Sequence, residues 1–133
     1  MSRWLIVGIL LVAMCVGQAL TPQQVLHQKD SLLGKSITVE GIAAIGLERC
    51  TLMACTQEQP CCNSCAANLI LTGDGANITV SGEWEGKEVG CEGNDCGLTC
   101  WPLEEGKRYS VSGIWNSSLG EYSLELKAFS EAG

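Results

Sequence analysis

The chain has 133 residues and carries 15 acidic against 8 basic side chains, a net charge of −7 at neutral pH. This length suits one domain with a modest core. Because nucleic-acid binding needs Lys and Arg to neutralise phosphates, the acidic balance argues against a nucleic-acid partner. It also argues against docking on anionic lipid.

The first residues have the pattern of a secretory signal peptide. Arg3 supplies a positive charge, and the run from Trp4 to Val16 is apolar and uncharged. The small residues Gly17 and Ala19 then occupy the positions that a signal peptidase requires for a cut after Ala19. The pattern therefore predicts export.

Two alternatives to cleavage remain. One is an uncleaved membrane anchor, although the apolar run is shorter than the roughly 20 residues that span a bilayer. The other is a lipid anchor on Cys15, although Met14 stands where lipoprotein signals have a small residue. We predict a signal peptide at 1–19 and a single secreted or periplasmic domain at 20–133, with no stable membrane span after cleavage.

The segment that follows, residues 21–34, has the end signals of a helix. Thr21 can cap its first turn, Pro22 suits the first helical position, and Gly34 suits a C-terminal stop. One side carries apolar residues at helical spacing, with a lysine at its edge: Val25, Leu26, Lys29, Leu32 and Leu33.

From residue 36 onward the pattern is that of strands, bounded by turn residues. Five are predicted, at 36–47, 67–73, 77–84, 108–116 and 121–129.

Two details of these strands carry structural predictions. In the first strand the apolar set shifts phase at Gly41, from Ile37 and Val39 before it to Ile42 and Ala44 after it, which predicts a bulge there. The last strand alternates, which predicts one buried face made of Tyr122, Leu124, Leu126 and Ala128.

Two short motifs accompany the strand pattern. The first strand begins GKSITVEG at 34–41, and the fourth contains YSVSG at 109–113. With the short preceding helix, these resemble small exported bacterial OB-fold proteins. The resemblance implies an all-β, five-stranded Greek-key barrel with two cysteine-rich loops. The chain departs from many OB-folds after strand three, where GKEVGCEGNDCGLTC replaces a helix. A resemblance of fold carries no function.

Nine cysteines are present, and removal of Cys15 with the signal peptide leaves an even number. In a small exported domain this composition predicts a disulfide framework. The eight cysteines are Cys50, Cys55, Cys61, Cys62, Cys65, Cys91, Cys96 and Cys100.

The eight cysteines divide into five in the first long loop and three in the second. Because both numbers are odd, complete pairing requires at least one bridge between the loops. Adjacent Cys61 and Cys62 have Cα atoms about 3.8 Å apart, closer than the usual disulfide minimum of about 4.4 Å. They should therefore have different partners, one back to Cys50 or Cys55 and one across to residues 91–100.

Metal and redox chemistry are the alternatives for these cysteines. Cys62 and Cys65 form one CxxC motif, whereas four-cysteine zinc sites usually pair two. A redox CxxC normally opens a helix, and here a strand follows. We predict disulfides, with no metal and no cofactor. A metal-binding or thiol-redox protein remains the alternative.

Candidate catalytic residues are few. His27 is the only histidine and has no neighbouring nucleophile that the sequence can support. Glu83 and Glu85 would share a strand face and could serve as an acid pair or a calcium site, although scattered surface charge gives the same pattern. The sequence therefore predicts a protein that is not an enzyme.

Aromatic side chains supply a candidate binding face. Trp84 and Trp115 end predicted strands three and four, and such residues bind oligonucleotides or oligosaccharides in many OB-folds. Core packing is the alternative for both, and Trp101 beside Cys100 is predicted to cover a disulfide. The sequence predicts an exported binding or envelope-associated module with an unidentified protein or small-molecule partner.

Overall fold

The computed structural model describes residues 18–133. The predicted signal peptide lies outside the described residues except for its last two positions, and so does the alternative lipid anchor on Cys15. Within the described part of the chain, no helix is long and apolar enough to cross a membrane.

One short helix is followed by nine strands in the described residues. The helix, α1, spans Pro22–His27. The strands are β1 Ser36–Cys50, β2 Ser64–Gly73, β3 Ala76–Ser81, β4 Glu83–Trp84, β5 Lys87–Glu88, β6 Gly90–Asn94, β7 Gly97–Trp101, β8 Arg108–Ser118 and β9 Glu121–Glu131.

Helix α1 begins as the sequence predicts and ends earlier. The Thr21 hydroxyl accepts from the Gln24 amide, and the Gln24 side chain accepts from the Thr21 amide, so both form a capping box. The predicted helix to Gly34 is wrong, because α1 ends at His27. Beyond it, the Lys29 carbonyl accepts a hydrogen bond from the Trp115 indole at 2.9 Å, and residues 28–34 form turns.

Seven strands form a mixed sheet, in which β6 and β7 extend from β2 and the five longest strands partly close into a ring. β1 pairs antiparallel with β2 and with β8, β2 with β3, and β8 with β9. The ring closes through a short parallel pairing of β3 with β9, at Val80–Leu124 and Ser81–Glu125. The prediction of a mostly β protein with a short N-terminal helix is confirmed, and a five-stranded OB barrel stays a prediction.

The hydrophobic core contains residues from every strand of the ring, and α1 contributes Val25 to it. The largest fully buried side chain is Trp115 of β8. Around it lie buried aliphatic residues, among them Val39, Leu69, Leu71, Leu103, Val111 and Leu124.

The predicted bulge at Gly41 is wrong. Burial alternates without a slip through this residue, and Ile42 is exposed. Gly41 is buried, and a Cβ atom there would lie 2.9 Å from the Thr72 carbonyl oxygen, so close strand approach explains the glycine. The register of β1 with β2 shifts instead between Ile45 and Glu48.

The buried face of β9 also differs from the prediction. Leu124 and Leu126 are buried, but Ala128 is exposed and Phe129 packs against the core. The cause is a register shift: Gly113 faces Leu126 and Ser112 faces Ala128, which leaves one extra residue on β9. Inward alternation therefore changes phase within the strand.

The predicted third strand, 77–84, is divided in two. It breaks at Gly82, which has a φ of 101°, and the chain then forms the hairpin β4–β5. Glu85 and Gly86 form the hairpin turn with φ values of 52° and 78°, as a type I′ turn requires. Glu83 and Glu85 therefore do not share a strand face, and both are exposed, which agrees with the alternative of scattered surface charge.

Candidate functional site

Four disulfides connect the eight cysteines of the domain, which confirms the predicted disulfide bonding. The pairs are Cys50–Cys65, Cys55–Cys62, Cys61–Cys96 and Cys91–Cys100.

These bridges have three structural roles. Cys50 lies opposite Cys65 in the β1–β2 register, and Cys91 lies opposite Cys100 in the β6–β7 register, so these two bridges fix strand pairs. Cys55–Cys62 closes a small ring within the first cysteine loop. Cys61–Cys96 alone joins the first loop to the second, and it is the link that the odd counts require.

Asn63 supplements the bridge between the loops with hydrogen bonds. Its Oδ1 accepts from the Met53 amide at 2.7 Å and from the Thr51 hydroxyl at 2.9 Å. Its Nδ2 donates to the Met53 carbonyl at 3.2 Å and to Asp95 Oδ2 at 3.0 Å. The first cysteine loop, residues 51–63, is therefore held in one conformation although it has little core of its own.

Metal ligation would require these disulfides to be reduced. Among the described residues, two groups bring potential ligand atoms together: Glu48 with Cys50 and Cys65, and Asp95 with Cys61 and Cys96. In each group the two sulfur atoms are bonded to each other. Because the metal ligand is the thiolate, the oxidised protein offers neither group as a complete site.

The two tryptophans predicted to form a binding face lie in different environments. Trp115 is completely buried, stacks on Tyr122 with ring centres 5.8 Å apart, and donates to Lys29. A ligand cannot reach it in the folded protein, so this part of the predicted face is corrected to core. Trp84 is half-buried and packs on Phe129 at 4.9 Å, and its carbonyl accepts from the Trp101 indole.

Trp101 lines a cavity of about 180 Å³ between β2 and the segment that contains β5, β6 and β7. We call this cavity the indole cleft. Its polar lining comes from side chains on β1, β2, β5 and β6: Arg49, Asn68, Lys87, Glu88 and Glu92. The sequence predicts only a covering role for Trp101 and does not single out Arg49 or Lys87. The Glu85-Gly86 turn signal could have predicted a hairpin that places Lys87 opposite Trp84.

The two cations of the indole cleft differ in whether they have a partner. Lys87 forms an ion pair with Glu92 at 3.5 Å and lies 5.4 Å from the centre of the Trp101 ring. Arg49 makes no ion pair or side-chain hydrogen bond with the described residues. An unpaired guanidinium, with its five donors, is therefore available beside an aromatic ring.

A second, shallower cavity of about 610 Å³ lies on the outer face of β2 and β3. We call it the hydroxyl groove. Its lining contains an amide, four small hydroxyl side chains and a phenol: Asn68, Thr79, Ser81, Ser118, Ser123 and Tyr122. Leu119, fully exposed in the β8–β9 turn, forms its rim. Asn68 lines both cavities, so the two meet at this residue.

His27 is exposed in the last turn of α1 and lines neither cavity. The chain is thus a β-rich, disulfide-stabilised protein with two adjoining cavities on one wall. Comparison with protein families, with curated proteins and with solved structures gave no match.

Proposed function

We propose that the protein is an exported, non-enzymatic OB-like module that binds a hydroxyl-rich ligand, an oligosaccharide, on the outer face of β2 and β3. The observation that carries this proposal is the hydroxyl groove. Asn68, Thr79 and Ser118 offer neutral donors and acceptors, as a polyhydroxylated ligand requires. Ser81 and Ser123 bond to each other, and Tyr122 donates to Asp30.

The order of the ring supports the OB-like part of the proposal. Its strands follow one another as β1, β2, β3, β9 and β8, with β8 returning to β1. OB-folds bind oligonucleotides and oligosaccharides on the face of their second and third strands, beside the loops after strands one and four. The hydroxyl groove has this position, because Ser118 and Leu119 belong to the β8–β9 turn.

The charge of the groove favours a saccharide over an oligonucleotide. Glu121 is the charged residue in its lining, and no Lys or Arg lines it. A phosphate backbone would meet a carboxylate there without any neutralising cation, which is unfavourable. A neutral saccharide meets no such penalty.

Export is supported by the bonding of Leu20, the first residue after the predicted cut. Its amide donates to the Thr38 carbonyl at 2.8 Å, and its carbonyl accepts from the Glu40 amide at 2.9 Å. The first residue of the predicted mature domain is thus hydrogen-bonded to β1. Four disulfides also suit an oxidising compartment.

Binding rather than catalysis is proposed because the carboxylates that line the cavities, Glu88, Glu92 and Glu121, are all exposed. Acid–base catalysis by carboxylates usually depends on burial or close pairing that perturbs one of them.

An NMR titration of the oxidised, ¹⁵N-labelled protein tests the proposal. Cellohexaose and chitohexaose serve as neutral saccharides, and single-stranded dT15 serves as the nucleic acid. We expect a saccharide to shift the amide signals of Asn68, Thr79 and Ser118, and dT15 to leave them unchanged. Thr79→Val should weaken saccharide binding roughly five-fold, since it removes one hydrogen bond without changing shape.

Thr99→Val is the matched control, because Thr99 is an exposed strand residue on β7 outside the groove. The proposal is contradicted if no saccharide shifts the groove signals. It is also contradicted if dT15 shifts them as strongly as the saccharides do.

A further inference from the structure

The indole cleft differs from the hydroxyl groove in its charge. Few cations are present in this acidic chain, and two of them, Arg49 and Lys87, line one small cavity. Lys87 is paired with Glu92, but Arg49 has no partner among the described residues. A guanidinium matches the geometry of a carboxylate, to which it can donate two parallel hydrogen bonds.

The aromatic wall of the cleft is held in place before any ligand arrives. The Trp101 indole donates to the Trp84 carbonyl at 3.1 Å, and the Cys91–Cys100 bridge fixes the strand pair on which Trp101 stands. A ring fixed in this way loses little conformational entropy on binding. Trp101 therefore offers a rigid aromatic surface in the same cavity as the Arg49 donors, with the Lys87 ammonium 5.4 Å from its ring centre.

The size and charge balance of the cleft limit what it can accept. The cleft encloses about 180 Å³, enough for one ring-sized group, and an open cavity of about 540 Å³ shares Lys87, Glu92 and Trp101 with it. Glu88 and Glu92 line the same cavity as the two cations. These carboxylates disfavour a multiply charged phosphate more than a group with a single negative charge.

We propose that the indole cleft is a subsite for a carboxylate-bearing sugar unit, with Arg49 binding the carboxylate and Trp101 contacting the sugar ring. This inference rests on the proposed function, because Asn68 connects the cleft to the hydroxyl groove and a single saccharide chain could occupy both. The ligand class is therefore an oligosaccharide with an acidic unit in the indole cleft and neutral units in the hydroxyl groove.

Glucuronate and glucose form a matched probe pair that differs in one carboxylate. The readouts are the Trp101 indole NMR signal, assigned with Trp101→Phe, for the cleft and the Thr79 amide signal for the groove. We expect glucuronate to shift the Trp101 signal at a concentration at least about ten-fold below that needed for glucose, since a charged hydrogen bond is involved. Inorganic phosphate should bind more weakly than glucuronate.

Arg49→Gln should abolish the preference for glucuronate, and Arg49→Lys should restore part of it. Lys35→Gln is the matched control, because it also removes one exposed cation but lies outside the cleft. An unchanged amide spectrum shows that each variant is folded. Loss of preference in Arg49→Gln but not in Lys35→Gln supports the inference.

Equal binding of glucose and glucuronate at Trp101 overturns the inference, and so does equal loss in both variants. In either case the proposed function still stands if cellohexaose or chitohexaose shifts the Thr79 amide signal. If no saccharide shifts the Thr79 signal while glucuronate shifts Trp101, the proposed function fails and the cleft binds an isolated carboxylate ligand.

Discussion

The side-chain amide of Asn63 donates a hydrogen bond to the Asp95 carboxylate at 3.0 Å, so one residue of the first cysteine loop holds one residue of the second. The Cys61–Cys96 disulfide joins the same two segments covalently. A hydrogen bond and a disulfide thus join the same two loops, and the contribution of each to the free energy of unfolding can be measured separately.

The Cys61–Cys96 disulfide should contribute more to the free energy of unfolding than the neighbouring Cys55–Cys62 disulfide. In the chain-entropy view, a bridge closing 35 residues stabilises by about 3.8 kcal/mol, and one closing 7 residues stabilises by about 2.4 kcal/mol. We therefore expect the double variant Cys61→Ser, Cys96→Ser to lose about one and a half times as much unfolding free energy as Cys55→Ser, Cys62→Ser. Urea unfolding of both double variants measures the difference. Equal losses would show that the link between the loops is not the principal constraint.

The polar contact is tested by Asn63→Ala. This change removes four hydrogen bonds to oxygen atoms, each contributing on the order of 1 kcal/mol before the loop relaxes, and a weaker one to the Cys55 sulfur. Because relaxation recovers part of this, we expect a net loss of about 1–2 kcal/mol and faster hydrogen exchange at the Met53 amide. Asn77→Ala is the control, since Asn77 is exposed on β3. An unchanged exchange rate at Met53 contradicts the role assigned to Asn63.

Sequence reasoning predicted the β class and the disulfide bonding because both rest on signals that the chain carries locally. Alternation of apolar residues marks strands, and an odd division of cysteines forces a cross-link whatever the fold. The exact pairing did not follow, since it depends on register: Cys50 meets Cys65 only because of the shift between Ile45 and Glu48.

The errors have a common physical origin in glycine. The sequence shows where a glycine stands but not which neighbour makes it necessary. At Gly41 a Cβ atom would clash with the Thr72 carbonyl on an adjacent strand, and Gly113 lies where the register of β8 with β9 shifts. The indole cleft was missed for a similar reason: Arg49, Lys87 and Trp101 come from three separate strands and meet only in the folded protein.

Trp115 provides a test that separates core from binding face. Trp115→Phe removes a fully buried indole and its hydrogen bond to the Lys29 carbonyl, so we expect a loss of about 2–4 kcal/mol. Saccharide affinity, measured below the unfolding transition, should stay unchanged because the residue cannot touch a ligand. Trp84→Phe, at a half-buried position, should cost less. A loss of saccharide affinity in Trp115→Phe but not in Trp84→Phe would show that Trp115 belongs to the binding face.

The Tyr122 phenol should report on the junction between the N-terminal segment and β9. Its hydroxyl donates to the Asp30 carboxylate, and this hydrogen bond is the main reason that the pKa of Tyr122 is raised above its ordinary value of 10.0, with desolvation and the Asp30 charge adding to it. Because the folded pKa is the higher one, the stabilising contribution is fully present below about pH 10 and is lost as the pH rises through the folded pKa.

Asp30→Asn removes the charge and weakens the acceptor, so the pKa of Tyr122 should fall toward its ordinary value. The measurement is an NMR titration of the ¹³C-labelled Tyr122 ring between about pH 9 and pH 12. Asp74→Asn, which removes an exposed carboxylate from the β2–β3 turn, controls for the change in net charge. If both variants move the Tyr122 titration equally, general charge rather than the Asp30 contact sets the pKa.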